Sequence, residues 1–336
     1  MTQTLTYLRV AFATLIASVV TSSFAWTITA RELVDVQFAA DDSLLILVSA
    51  PKAVEPGIYR WQHDAAEPTL LCRLSSPTSF SFDRKTIIER VAGLAPEVRL
   101  YSPATCELLD SIKVDGRVLD VDVRDDKVAI ALRFLGASSE LRLYHSRSKR
   151  GSFDSPLARA VVGGNVEMGF APDGRSIVNF DLSDGGAATW RVPNLAPVKW
   201  PWWTKDGETT FVPGSAFVKR YANDTLSVAR WPSGAAVYTM AAARTVRLRQ
   251  LSVTGRFGML HRFEPNLAPN QSLDWFDFAT QRGVNLATGS IDNAAINASG
   301  GRVAWALRSN DQANRVSVQF AQINAEGAAV VTNETQ

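Results

Sequence analysis

The feature that most constrains this chain is a turn that returns about every forty residues. Its clearest copy is Phe170-Ala171-Pro172-Asp173-Gly174-Arg175-Ser176-Ile177, and looser copies lie at 38–45, 80–87, 123–130, 203–210, 251–258 and 297–304. The key turn positions are Asp41, Asp83, Asp125, Asp173, Asp206, Thr254 and Gly300. In each copy an apolar residue ends one strand, a short polar side chain can hydrogen-bond its own backbone, and Gly supplies positive φ in the best copies. A second apolar strand follows at once, so the element is a hairpin. Fixed-period repetition of short strands at roughly 40–50 residues is the signature of four-stranded propeller blades rather than of a sandwich or barrel.

A third strand repeats in step with the turn. It reads Ile58-Tyr59-Arg60-Trp61, Val98-Arg99-Leu100-Tyr101 and Leu141-Arg142-Leu143-Tyr144 in the first three units. Later versions are 188–192, 226–231, 273–276 and 316–320. Apolar residues alternate with Arg or another polar residue, the period of a strand with unequally buried faces. Weaker fourth strands follow, among them Leu70–Leu74 and 328–331. The reading is an all-β chain, a single β-propeller of seven four-stranded blades over residues 26–336. Aromatic residues large enough to fill the wedge between blades occupy the inner-strand slot at Phe38, Phe80, Phe170 and Trp203. Val123 and Ile296 take that slot in the third and seventh units. A poorly marked fourth strand near Asn194–Pro197 leaves six or eight blades open, and ring closure is not readable.

Phe170–Gly174, with its looser copies, resembles the WD40-like and TolB-type (PD40) propeller repeats of exported bacterial proteins, and is similar to the YVTN-type propellers. The resemblance spans nearly all of the chain after the leader. The Trp-Asp dipeptide and Gly-His of true WD40 repeats are absent, which argues against the eukaryotic signalling type. TolB carries a separate domain ahead of its propeller; here the first blade starts soon after the leader, so TolB's role is not carried over.

Residues 1–25 read as a signal peptide. Arg9 precedes an apolar run from Val10 to Val20, and Ser23 and Ala25 make a small-x-small site ahead of Trp26. The run is about half of the ~20 apolar residues that a spanning helix needs, and no later stretch is apolar enough to cross a bilayer. The expected location is periplasmic or secreted. A formal net charge of +2 with no long basic run speaks against nucleic acid as a partner.

Candidate chemistry is sparse. Cys72 and Cys106 fit either a disulfide, which an oxidising compartment favours, or two buried apolar side chains. Equivalent outer positions on adjacent blades would lie too far apart to bond, but these two are not quite equivalent. No zinc-ligand spacing is present, so no metal is expected. His63, His145 and His261 fall in three different units and read as surface or edge residues. No nucleophile elbow, phosphate loop or dinucleotide fingerprint occurs, and no cofactor is expected. Asp274 and Asp277 have the odd separation that sends side chains to opposite faces of a strand.

Two segments stand out as contact candidates. Trp200, near the start of Trp200-Pro201-Trp202-Trp203, is placed to meet a ligand, whereas Trp203 reads as core. The polar segment Ser146–Pro156 offers Arg147, Lys149, Arg150 and Phe153, and long loops on rigid scaffolds often carry binding. The functional expectation is a scaffold for an envelope or extracellular protein partner. The alternative is a propeller enzyme, such as a lactonase, carbohydrate-active hydrolase or quinone-dependent dehydrogenase, with its site at the channel mouth.

Overall fold

The computed structural model describes residues 25–29, 35–49, 55–62, 65–74, 78–81, 83–134, 139–146, 156–162, 166–179, 188–199, 208–242, 245–263, 271–309, 315–323 and 329–330. The described residues hold strands and turns and no helix, so no helix is long and apolar enough to cross a membrane. The strands form seven antiparallel sheets arranged as a seven-bladed propeller.

Each blade runs outward from an inner strand. Blade 1 is β2 (Asp35–Phe38), β3 (Leu44–Val48), β4 (Gly57–Trp61) and β5 (Thr69–Arg73). Blade 2 is β6 (Thr78–Phe80), β7 (Ile87–Val91), β8 (Glu97–Tyr101) and β9 (Leu108–Lys113). Blade 3 is β10 (Arg117–Arg124), β11 (Lys127–Arg133), β12 (Ser139–His145) and β13 (Ala158–Val162). Blade 4 is β14 (Met168–Phe170), β15 (Ser176–Asn179), β16 (Ala188–Arg191) and β17 (Ala196–Val198). Blade 5 is β18 (Glu208–Phe211), β19 (Phe217–Ala222), β20 (Thr225–Arg230) and β21 (Ala235–Ala241). Blade 6 is β22 (Val246–Leu251), β23 (Phe257–Phe263), β24 (Gln271–Asp277) and β25 (Arg282–Thr288).

Blade 7 shows how the ring closes. It takes β26 (Ser290–Ile296), β27 (Arg302–Arg308) and β28 (Arg315–Ile323) from the C-terminal part of the chain. Its outer strand is β1 (Ala25–Thr29), which runs antiparallel to β28 from Ala25 opposite Gln319 to Thr29 opposite Arg315. Of the fourth strand expected at 328–331, the described part is β29 (Ala329–Val330), which pairs with Ile323 and Gln322. Joining the two chain ends in one sheet removes the open edge that a ring would otherwise leave.

Packing explains why the second strands are the most deeply buried, β3 and β15 along their whole length. Along β3, Leu44, Ile46 and Val48 enter a cluster with Val316, Val318 and Ala304 of blade 7, while Leu45 and Leu47 join Phe80 and Ile87 of blade 2. A hydrophobic cluster of this kind fills each of the seven interfaces between blades. Successive strand residues point to opposite faces, so each sheet is greasy on both sides.

The repeated turn does its expected work. The Asp41, Asp83 and Asp173 carboxylates accept from the backbone N–H two residues on, at 3.1, 3.1 and 2.9 Å. In blades 6 and 7 the turn glycine is needed twice over. Gly255 and Gly300 have φ of +74° and +86°, and a Cβ there would lie 2.6 Å from Phe217 Cζ and 2.3 Å from Phe257 Cδ2 of the preceding blade. The turn therefore also seats each blade on its neighbour.

Blade 5 departs from the sequence reading. Its inner strand is β18, and its turn is closed by the bond from Val212 N–H to Phe217 O (3.1 Å), while Asp206 lies outside the described residues. Phe211 fills the slot assigned to Trp203 and packs edge-on against Trp231, with ring centroids 5.1 Å apart. The segment 203–210 imitates the motif, but Pro213-Gly214 supplies the turn and restores even spacing between neighbours.

The inner strands also satisfy each other's backbone. Asp120 accepts from Met168 N–H (2.8 Å) and Asp122 from Phe170 N–H (2.6 Å), tying blade 3 to blade 4. Gln250 accepts from Ile296 N–H (3.2 Å) between blades 6 and 7. Asn293 of blade 7 donates to Asp35 of blade 1 (2.7 Å), which also takes Arg84 of blade 2.

Candidate functional site

In each blade the loop between second and third strands, and the connection to the next blade, open on the same face of the ring. On that face a cleft lies between blades 2 and 3. The end of β7 contributes Arg90 and Val91, and the loop after it gives Leu94 and Pro96. The blade 2–3 connection adds Asp115 and Gly116, and the blade 3 strands add Arg117, Val118, Leu119, Arg133 and Phe134. The cleft volume is about 1020 Å³, the upper end of what small-ligand and peptide clefts show.

Local chemistry builds its walls. β10 carries a bulge at Leu119, where the register shifts between Val118 and Asp120. A bulge turns a strand and re-aims its groups, and here the Leu119 carbonyl accepts from Arg90 Nη1 across the blade boundary (3.2 Å). Behind the side of the cleft lined by Asp115 and Phe134 lies an ion network. Buried Arg142 donates to Asp115 Oδ1 (2.5 Å) and to Glu140 Oε2 (3.0 Å), and its guanidinium lies 5.0 Å from the centre of the Phe134 ring. Phe134 in turn covers Gly116, where a Cβ would approach the ring to 3.0 Å. Asp115 and Phe134 are thus held in place by charge-assisted bonds to, and a cation–π contact with, Arg142.

The bulge has a second consequence. It sets Arg117 directly opposite Arg133. Both are exposed, and among the described residues neither has an acidic partner. Like charges facing each other across a strand pair are destabilising. Leu94 beside them is fully exposed. The site therefore combines three guanidiniums, one of them engaged by Leu119, with an apolar floor. Just beneath, burial raises the Asp120 carboxyl to about 6, against the lowering effect of its bonds from Met168 N–H and Val121 N–H.

A second polar cluster lies in blade 6. His261 is fully buried, not at a surface or edge as its sequence position suggests. Its Nδ1 accepts from Arg249 (Nε 3.1 Å, Nη2 2.8 Å), and guanidinium can only donate. The ring proton is therefore on Nε2, which donates to Gln271 Oε1 at 3.0 Å. Burial and the Arg249 charge lower the imidazole to about 4. With its lone pair already taken, His261 holds structure and is not placed to remove a proton from a ligand. His145 is exposed beside Asp126 (3.2 Å). Among the described residues no group of three or more His, Cys, Asp or Glu could hold a metal ion.

The central passage is narrowed on the other face. The Arg84 side chain reaches Asp35 of blade 1 (3.1 Å), and its Cγ lies 3.5 Å from where a Cβ of Gly214, in blade 5, would stand. Arg84 thus binds blade 1 and lies close to Gly214 of blade 5.

Cys72 and Cys106 form a disulfide, with Cα atoms 5.5 Å apart. Cys72 is on the outer strand of blade 1 and Cys106 on the turn between the third and fourth strands of blade 2. That offset brings together two positions which equivalent outer strands would keep apart. Trp200, Arg147, Lys149, Arg150 and Phe153 lie outside the described residues, as do Trp203, His63 and residues 1–24. None of the cleft residues was singled out in the sequence, because Arg90, Arg117 and Arg133 come from separate strands and meet only through the fold.

No protein-family model matches the chain, and no curated protein matches it. Its fold is similar to that of a chain in the crystal structure of the mitotic checkpoint complex. The TM-score is 0.56 at 12% identity, covering 89% of this chain and 95% of that one. At that identity the likeness is one of fold alone.

Proposed function

We propose that this chain is a periplasmic or secreted scaffold that docks an envelope or extracellular protein partner on the face bearing the blade 2–3 cleft. The observation that carries the reading is the cleft itself, a site of about 1020 Å³ rimmed by Arg117 and Arg133, which among the described residues have no acidic partner. Rigid loop-bearing faces of this kind suit protein partners. The fold of a chain taken from a multiprotein complex is consistent with that use, although fold by itself does not fix function.

Two features support export. The leader pattern of residues 1–25 is followed at once by the closing strand, and the inter-blade disulfide is a bond that oxidising compartments sustain. Kinship with the PD40 or YVTN repeats belongs to the same proposal and rests on Phe170–Gly174 and its copies. The enzyme alternative has no observation in its favour among the described residues.

Affinity capture of the chain starting at Trp26 from its native envelope, read by mass spectrometry, tests the proposal. The expected result is a defined set of proteins retained by the wild type and lost on Arg117→Glu. A bound metal or quinone in the purified protein, with no protein retained, would overturn it.

A further inference from the structure

We propose that the blade 2–3 cleft binds an extended acidic peptide segment, with one carboxylate bridging Arg117 and Arg133 and an adjacent apolar side chain resting on Leu94, Pro96 and Phe134. The inference deepens the scaffold reading and rests on it.

Charge comes first. Arg117 and Arg133 face each other across β10 and β11, and among the described residues no acid is ion-paired to either, an arrangement that costs stability in the free protein. A carboxylate set between the two guanidiniums would relieve the repulsion and gain charge-assisted, fork-like hydrogen bonds. The neighbouring acid, Asp115, cannot take this role, because Arg142 already holds it at 2.5 Å. Glu140, the other acid of that network, is likewise held by Arg142 at 2.9 Å.

Shape and polarity then select the class of ligand. A cleft of about 1020 Å³ is far larger than one small anion requires. Its floor adds Val91, Val118 and Leu119 to the three apolar contacts already named, a surface that a bare phosphate would leave unused. Nucleic acid would ask for a basic stripe along the backbone and several stacking rings. Among its lining residues this cleft has a single ring, Phe134, where base stacking would ask for several. An extended peptide carrying Asp or Glu beside Leu or Phe matches both halves of the site. It would meet the pair of arginines on one side and the exposed Leu94 on the other.

Fluorescence anisotropy tests the assignment with the chain starting at Trp26. Three labelled probes are titrated: the peptide Gly-Ser-Leu-Glu-Glu-Leu-Ser-Gly, the same peptide with both Glu replaced by Gln, and oligothymidylate. The expected result is saturable binding of the acidic peptide, at least tenfold weaker binding of the Gln version, and no preference for the oligonucleotide. Arg117→Glu and Arg133→Glu should each weaken the acidic peptide at least tenfold, and higher salt should weaken it in the wild type. Both arginines are exposed, so these variants are expected to fold. Arg133→Gln, which removes the repulsion without adding an acid, should fold at least as stably as wild type while still losing affinity. Equal binding of both peptides would overturn the carboxylate clamp yet leave the cleft as a docking site. Preference for the oligonucleotide would overturn the ligand class. Failure of both peptides, with a partner still captured in an Arg117-independent way, would overturn the cleft and spare the scaffold.

Discussion

Buried ionisable residues give this ring an unusual pH balance. His261 has a folded pKa of about 4 against 6.5 for the free side chain, so the unfolded chain binds the proton first. Stability is then lost as pH falls from about 6.5 towards 4, by up to about 3 kcal/mol. Asp120 works the other way. Its folded pKa of about 6, raised from 3.8 by burial, means that stability is lost as pH rises through that window, by about 1–2 kcal/mol after discounting for its partial exposure. Asp120→Asn keeps an oxygen for Met168 N–H. It is expected to be stabilising above pH 6 and to lose that advantage near pH 4, read from urea midpoints at both values. Measured in that background, the acid destabilisation assigned to His261 should stand out and should vanish in His261→Gln. Backbone strain gives a third test at this scale. Gly300→Ala would place a Cβ against Phe257 at positive φ and is expected to cost about 2–4 kcal/mol, measured by the same denaturation. The turn chemistry behind Gly300 was legible in the sequence. The burial of His261 was not, because its partners Arg249 and Gln271 lie on two neighbouring strands of the blade.

At the level of elements, the two devices that fasten the ring lie outside the repeat. One is the disulfide, which closes a stretch with a sequence separation of 34. For a loop of that length, constraint of the unfolded chain is worth about 3–4 kcal/mol. Cys72→Ala with Cys106→Ala, or reduction of the wild type, is expected to lower unfolding free energy by about 2–4 kcal/mol. The other is β1. Ile28 is buried among Val36, Val316 and Val318, and Trp26 packs on Tyr59 with ring centroids 4.9 Å apart. A chain starting at Glu32 should therefore be less stable than one starting at Trp26 by about 3–5 kcal/mol. The period of forty residues announces the hairpins but says nothing of which end of the chain completes the last sheet. Both β1 and 328–331 have the composition for it, and only pairing along β28 decides.

The element scale also explains where sequence reading slipped. In blade 5 the string 203–210 scores as a turn by composition, yet Phe211 and Gly214 occupy the true positions, since a propeller needs an aromatic wedge and a tight turn at one radius. At the cleft, plain pairing outward from the Arg124–Lys127 hairpin would put Arg117 opposite Phe134. The one-residue bulge at Leu119 shifts the register and brings Arg133 there instead. No periodicity reports a bulge in advance.

For the whole molecule, the seven sheets share one design, both faces apolar, with inner strands bonded across several blade boundaries and a cleft at the seam of blades 2 and 3. The seven-blade count was readable because hairpin turn and third strand recur together. The site was not, because it is assembled from the seam between two repeats. Hydrogen–deuterium exchange of the chain starting at Trp26, with and without its captured partner, tests that account most directly. The expected result is new protection over 90–96 and 115–119 and at 133–134, with the turns at 171–175, 212–216 and 252–256 unchanged. Protection confined to those turns, or to outer strands away from blades 2 and 3, would contradict it.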